Sequence, residues 1–195
     1  GGPGARSQLD EGYEVGELFG ELLVPVLADK AFARRVDMEL AWRYSDYTSV
    51  GATNAWKAGL IWEPIDGLAI RGVRSRSVRT PNYGELYEPI FTSTTAGSIN
   101  DPCMVGSYDV SAQRAANCLA SGVPEPITDP KIGPHITTGG NPDLKPETSD
   151  SLTIGFVWQP AFLENFDLTV DYWDIKIEDV ITQINYATIM RLCVD

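Results

Sequence analysis

The stretch Asn141–Asp179 decides the fold. It reads N-P-D-L-K-P-E-T-S-D-S-L-T-I-G-F-V-W-Q-P over 141–160 and, after a short break, F-D-L-T-V-D-Y-W-D-I-K-I-E-D over 166–179. Pro142 and Pro146 bracket a polar entry, and the residue before each proline is pushed towards extended geometry. Leu152, Ile154, Phe156 and Trp158 then alternate with Ser151, Thr153, Gly155 and Val157. That is period two, a strand with one apolar face and one smaller or more polar face. Beyond Gln159-Pro160 the pattern resumes, with Phe166, Leu168, Val170 and Tyr172 set against Asp167, Thr169 and Asp171. The pair reads as an antiparallel hairpin of long strands, 149–158 and 166–177.

Alternation alone leaves open which face meets what. In a soluble sandwich the apolar face looks inward; in an outer-membrane barrel it faces lipid and the lumen is polar. Length favours the barrel, because a tilted membrane strand needs roughly 9–11 residues whereas soluble strands cluster at about 5–6. Trp158 and Tyr172 stand near strand ends, where an interfacial aromatic girdle would place them.

Four further strands are expected upstream. The cleanest is 33–45, with Val36, Met38, Leu40, Trp42 and Tyr44 on one face and Arg35, Asp37, Glu39, Ala41, Arg43 and Ser45 on the other. Strand 54–63 carries Trp56, Ala58, Leu60 and Trp62 on one face. Its two tryptophans are about 20 Å apart along a strand, near the roughly 25 Å height of a membrane barrel's apolar band. Strand 68–78 follows the tight turn Pro64-Ile65-Asp66-Gly67. The first strand, 13–24, competes with a helix, but Gly12, Gly16 and Gly20 weaken the helix by about 1 kcal/mol each. Pro25–Phe32 reads as a short connection and residues 1–10 as a loop.

The 195 residues are 43% hydrophobic and 22% charged, with a net charge of −12. This describes a folded chain and argues against nucleic acid, which requires clustered Lys and Arg. No run of about 18 apolar residues is present, so no transmembrane helix is expected; a membrane barrel would show none either. The start, Gly-Gly-Pro-Gly-Ala-Arg, has neither the basic region nor the apolar core of a signal peptide. No Cys/His spacing suggests zinc, and a Ser/His/acid hydrolase finds little support in a single loop histidine, His135. We therefore assign no catalytic, metal or cofactor residue and expect no enzyme.

Residues 80–148 show no sustained periodicity and hold most of the prolines. A compact soluble domain seldom carries so long an irregular loop, whereas a barrel has short turns on one side and long loops on the other. Cys103 and Cys118 both lie there and form a candidate disulfide in an oxidising compartment; Cys193 is left over. Tyr83, Tyr87, Phe91 and Tyr108 are candidates to stack on a ligand, or simply pack the loop. Arg74 and Arg76 share one face of strand 68–78; Arg71 and Arg79 share the other. Arg74, Arg76 and Arg79 are either cations near a mouth or ordinary headgroup-level arginines. Beyond Glu178, Val180, Ile184, Ala187 and Met190 change to a helical period, so a short C-terminal helix is expected.

These stretches carry a family resemblance. Val78–Pro89 (V-R-T-P-N-Y-G-E-L-Y-E-P) resembles the R-A-P-x-x-x-E-L signature of TonB-dependent outer-membrane receptors, with Thr80 in place of the commoner Ala. Asn141–Glu147 resembles their N-P-x-L-K-P-E stretch, and Leu168–Ile175 their L-x-V-D-Y-F-x-I. The resemblance implies an all-β, antiparallel up-and-down transmembrane β-barrel segment of about six strands, with one long irregular extracellular loop and a short C-terminal helix. It implies that residues 1–195 are an internal piece from the C-terminal half of a barrel of about 22 strands. The plug domain and TonB box would lie outside this stretch. It further implies the cell outer membrane of a Gram-negative bacterium, surrounding outer-membrane lipid, and a siderophore, cobalamin or oligosaccharide ligand. Energy would come from TonB, ExbB and ExbD through the plug. A soluble carbohydrate-binding β-sandwich is the rival and would bury Trp42, Trp56, Trp62 and Trp158. A passive porin fits the strands alone, though the motifs at Arg79 and Asn141 argue against it.

Overall fold

In the computed structural model the described residues are 11–94, 101–128, 135–163 and 165–195. The expected loop at 1–10 and parts of the long loop, Pro130 and Pro134 among them, lie outside them. Two compact units emerge, one from residues 11–86 with 141–181, the other from 87–140 with 182–195.

The first unit is one antiparallel six-stranded sheet in the order β1-β2-β3-β4-β7-β8. Its strands are β1 (Val15–Lys30), β2 (Ala33–Tyr47), β3 (Gly51–Ile65), β4 (Leu68–Arg79), β7 (Glu147–Trp158) and β8 (Leu168–Glu178). Each strand pairs antiparallel with the next strand of this sheet along the chain, β4 with β7 across the long insertion, so the path is up-and-down. The sheet is open, with β1 and β8 as its edges. Tight turns at 31–32 and 66–67 and the connection after Trp158 share one side; residues 48–50 and the long insertion leave from the other.

The pairing converts alternation into two continuous faces. Leu40 stands between Leu22 and Ala58, and Trp42 between Gly20 and Trp56. Ile70 stands between Trp62 and Phe156, which meets Val170. The large apolar side chains of this face stay uncovered: Trp42 is 45% exposed, Ile154 50% and Tyr172 62%. None of Trp42, Trp56, Trp62 and Trp158 is buried, where the rival soluble sandwich required all four to be. The opposite face carries ion pairs instead. Lys57 meets Glu39 at 2.8 Å, Arg35 meets Asp37 at 2.6 Å, and Arg71 meets Asp171 at 2.7 Å.

β1 runs past Pro25, where a connection was expected. Proline has no N–H for the ladder, but strands hold it at bulges, and here the register slips between Pro25 and Leu27 before pairing continues to Lys30. At the β3–β4 turn Gly67 has φ +75°, a left-handed geometry that favours glycine. Its carbonyl accepts the Gln159 N–H at 2.6 Å, and a side chain there would strike the Gln159 carbonyl.

Within the long irregular loop expected across 80–148, the structure places short elements. The insertion holds α1 (Tyr83–Tyr87), β5 (Phe91–Thr94), a 3-10 turn at Tyr108–Val110, α2 (Ala112–Ala120) and β6 (His135–Thr138). α1 begins within the sheet unit, and β5 pairs with β6 as a separate two-stranded ribbon. His135 therefore opens a strand and does not sit in a loop. The C-terminal helix α3 covers Tyr186–Val194; Val180 and Ile184, expected on its face, precede it, while Ala187 and Met190 lie within it. Buried Cys103, Tyr108, Cys118 and Val194 form a small core, with Ala115, Val123 and Ile127 packed against it.

Candidate functional site

The most connected polar cluster sits where β4 and β7 end on the long-loop side. Arg79 is the last residue of β4 and pairs in register with Glu147, the first of β7. The Arg79 guanidinium donates from Nε to Glu147 Oε2 at 2.7 Å and from Nη2 to Oε1 at 2.9 Å. Its Nη1 reaches Glu85 Oε2 at 3.1 Å. One planar fork thus engages two carboxylates, a geometry that lysine cannot reproduce.

Each carboxylate is held in turn. Glu85 Oε2 accepts the Asn82 N–H at 2.7 Å, and Asn82 Oδ1 accepts the Glu85 N–H at 2.9 Å. This reciprocal capping box starts α1. Glu147 Oε1 also accepts the Ile181 N–H at 2.7 Å, and the Glu85 carbonyl accepts the Asn141 N–H at 2.8 Å. Three segments leaving the sheet therefore meet at Arg79: the one after β4, the one before β7 and the one after β8. The hydrogen bond from Arg79, followed by that from the Asn82 backbone, holds the Glu85 carboxyl below the usual carboxylate range. Two of the three motifs that carry the family resemblance thus form one structural object, Arg79 and Glu85 from one clasping Glu147 from the other. Neither acid was singled out from the sequence.

Arg79 and Arg71 lie on the charged face of the sheet. Arg74 and Arg76 lie on the other, in register with Ala58 and Leu152 and with Trp56 and Asp150, respectively. Arg76 is bound to Asp150 through two hydrogen bonds of 2.8 and 2.7 Å. The three arginines grouped as mouth cations therefore do not converge on one site.

The aromatic candidates separate as well. Tyr83 and Tyr87 are half-buried on α1, and Phe91 on β5 is 51% exposed. Tyr108 is 8% exposed, and its hydroxyl donates towards the carbonyls of Val123 at 3.3 Å and Pro124 at 3.4 Å. Tyr108 is a packing residue beside the disulfide, not a ligand-facing one. Cys103 and Cys118 are joined, with Cα atoms 5.8 Å apart, and Cys193 is an exposed free thiol. Arg114 of α2 is bound to Asp195 by two hydrogen bonds, one of them 2.9 Å, and Asn117 donates to the Val194 carbonyl at 3.0 Å. These contacts hold α3 to the disulfide-bonded segment. Among the described residues no cluster of His, Cys, Asp and Glu is arranged to hold a metal ion.

A single up-and-down sheet with one apolar, uncovered face and one ion-paired face is a section of a membrane barrel wall. The family described as TonB dependent receptor-like, beta-barrel, matches residues 4–192, and the chain belongs to that family. The crystal structure of the siderophore receptor PirA from Acinetobacter baumannii is similar at a TM-score of 0.56 and 17% identity. That similarity covers 89% of this chain and 20% of the receptor. The siderophore receptor PirA from Pseudomonas aeruginosa gives a TM-score of 0.41 at 15% identity, over 83% of this chain and 31% of that one. The chain thus spans less than a third of the length of either receptor. No curated protein matches it.

Proposed function

We propose that this chain forms part of the wall and external loops of an active-transport receptor in the outer membrane of a Gram-negative bacterium. The receptor captures a scarce nutrient and imports it with energy delivered by TonB, ExbB and ExbD. The plug that touches TonB belongs to other parts of the protein. The observation carrying this reading is the six-stranded sheet, whose exposed apolar face suits lipid and whose paired charges suit a polar lumen.

The Arg79–Glu85–Glu147 clasp fixes the points from which the external segments leave the wall, so it positions them and does not itself bind the nutrient. A siderophore is the first ligand class to test, because the Acinetobacter receptor of similar fold is described as a siderophore receptor. At 17% identity this orders the tests without deciding among siderophore, cobalamin and oligosaccharide.

The test is uptake of labelled ferric siderophores, cobalamin and oligosaccharides by cells carrying the full-length receptor, with and without functional TonB. Uptake of one ligand that disappears without TonB is the expected result. Uptake indifferent to TonB would identify a passive pore and end the active-transport reading. At equal abundance in the membrane, Arg79→Lys should lower uptake, since the charge remains but the fork is lost.

A further inference from the structure

The apolar face does not end along a straight row. On β2 it reaches Tyr44 and on β3 Trp56, but on β4 the next outward residues after Ile70 and Gly72 are Arg74 and Arg76. On β8 it ends at Tyr172, with Asp174 and Lys176 beyond. Barrel strands tilt by roughly 35–45°, so a level membrane surface crosses the paired rows obliquely, slipping about one residue per strand. A line falling from Trp56 on β3 to Tyr172 on β8 follows that slope. Arg74 lies on it, at the level of the aromatic girdle.

Its surroundings are unusual for a cation. The residues paired with Arg74 are Ala58 on one side and Leu152 on the other. The nearest outward acid, Asp150, has both oxygens hydrogen-bonded to Arg76, and Arg74 acts on it only through space, without a hydrogen bond. Among the described residues no carboxylate forms an ion pair with Arg74, and no hydrogen bond holds its guanidinium. A guanidinium on the lipid-facing side is costly unless something neutralises it. At the girdle level the available anion is the phosphate of a lipid headgroup, which a guanidinium fork binds through two parallel hydrogen bonds.

We propose that Arg74 is a lipid-phosphate anchor. The headgroup phosphate sits on the Arg74 fork, and an acyl chain runs towards the turns along Leu152, Ile154 and Ala58. The bound lipid fills a position that Trp56 and Tyr172 flank as the wall's aromatic markers. The inference rests on the membrane orientation proposed above.

The full-length receptor in uncharged maltoside micelles is titrated with phosphatidylglycerol, with a glucosyl diacylglycerol of the same acyl chains lacking phosphate, and with inorganic phosphate. The expected result is a rise in melting temperature with phosphatidylglycerol alone. Arg74→Gln should weaken the apparent affinity roughly tenfold, as loss of a charge-assisted contact implies. Lys57→Gln, on the opposite face, should leave it unchanged. Arg74→Lys keeps the charge and should retain part of the effect, which keeps the test informative if Arg74→Gln does not fold. An equal rise in the Arg74 variants, an equal rise with inorganic phosphate, or none in the unaltered receptor overturns the anchor. Failure of the orientation would read differently: a probe at Leu40→Cys would then escape quenching by lipid-borne quenchers while one at Glu39→Cys did not.

Discussion

The sheet and the disulfide-bonded segment use the same side chains in opposite ways. In the segment, Cys118 is 0% and Val194 4% exposed, and Tyr108 closes the cluster. This is a miniature soluble core, small enough to need a covalent staple. In the sheet, leucines, tryptophans and isoleucines stay exposed along most of one face, while the other carries ion pairs such as Lys57 with Glu39 and Arg71 with Asp171. Water makes the first arrangement favourable. The second is favourable only where the medium outside is itself apolar. The difference teaches that burial within the chain does not measure how well the sheet is built; the polarity of each face does.

The sharpest way to break the comparison is to place a charge on each face of one strand. Leu40→Arg should destabilise the inserted barrel by roughly 2–4 kcal/mol if Leu40 lies near mid-depth, whereas Glu39→Arg on the charged face should cost far less. Thermal unfolding of the full-length receptor in lipid, followed by heat-dependent mobility on gels, measures both. Equal tolerance would mean that the faces are misassigned.

The segment should respond to a perturbation that leaves the wall alone. Cys103 and Cys118 are 15 positions apart, and a closed loop of that length contributes about 3 kcal/mol in the chain-entropy account. Cys103→Ser, or a mild reductant, should open residues 101–127 to proteases. The barrel's unfolding temperature should stay where it was. A parallel loss of barrel stability would show that the two regions fold as one.

The strands were legible because each must present one face to each medium along its whole length, which imposes period two on ten or more residues. Even the parity of the arginines could be read that way, Arg74 and Arg76 against Arg71 and Arg79. Their grouping into one mouth site could not, since parity says nothing about height or partners. The interior of the long insertion was illegible for another reason. Its helices span five and nine residues, too short to impose a period, and its core depends on a disulfide. The clasp was half legible: its letters stood inside two of the three quoted motifs, but Arg79 and Glu147 are 68 positions apart, and only the β4–β7 register brings them together. The run of β1 through Pro25 was hidden because proline reads as a break unless the irregular pairing beside it, between Pro25 and Leu27, is known.

A finer test of the charged face uses Gly155. It stands between Arg71 and Asp171 in the paired row, and the two charged side chains meet above it. A methyl group there would collide with the Asp171 carboxylate and lie 2.6 Å from the Val170 carbonyl. Gly155→Ala should therefore cost roughly 1–3 kcal/mol, the usual range for overpacking, and push Asp171 off Arg71. Adding Asp171→Ala to Gly155→Ala should recover part of the loss if the carboxylate is the obstacle. No recovery would place the obstacle in the β8 backbone.

The smallest effect belongs to the segment and depends on pH. The hydrogen bond from Arg114, and then its charge, hold the Asp195 carboxyl below its ordinary value of 3.8. A group whose pKa is depressed in the folded state contributes its stability above the unfolded value and loses it as pH falls through the folded one. Between neutral pH and about pH 4 the tie between α2 and α3 should be constant, and it should weaken below that. The pair is exposed, so the effect is modest and salt should reduce it. Amide exchange of α3 against pH reads it directly. In Asp195→Asn the acid-dependent part should vanish, because the side chain no longer titrates, while Asn117 still holds the end of the helix through the Val194 carbonyl. If exchange in α3 rises just as steeply below pH 4 in that variant, the acid sensitivity lies elsewhere in the segment, and the disulfide core, not the ion pair, is what keeps α3 in place.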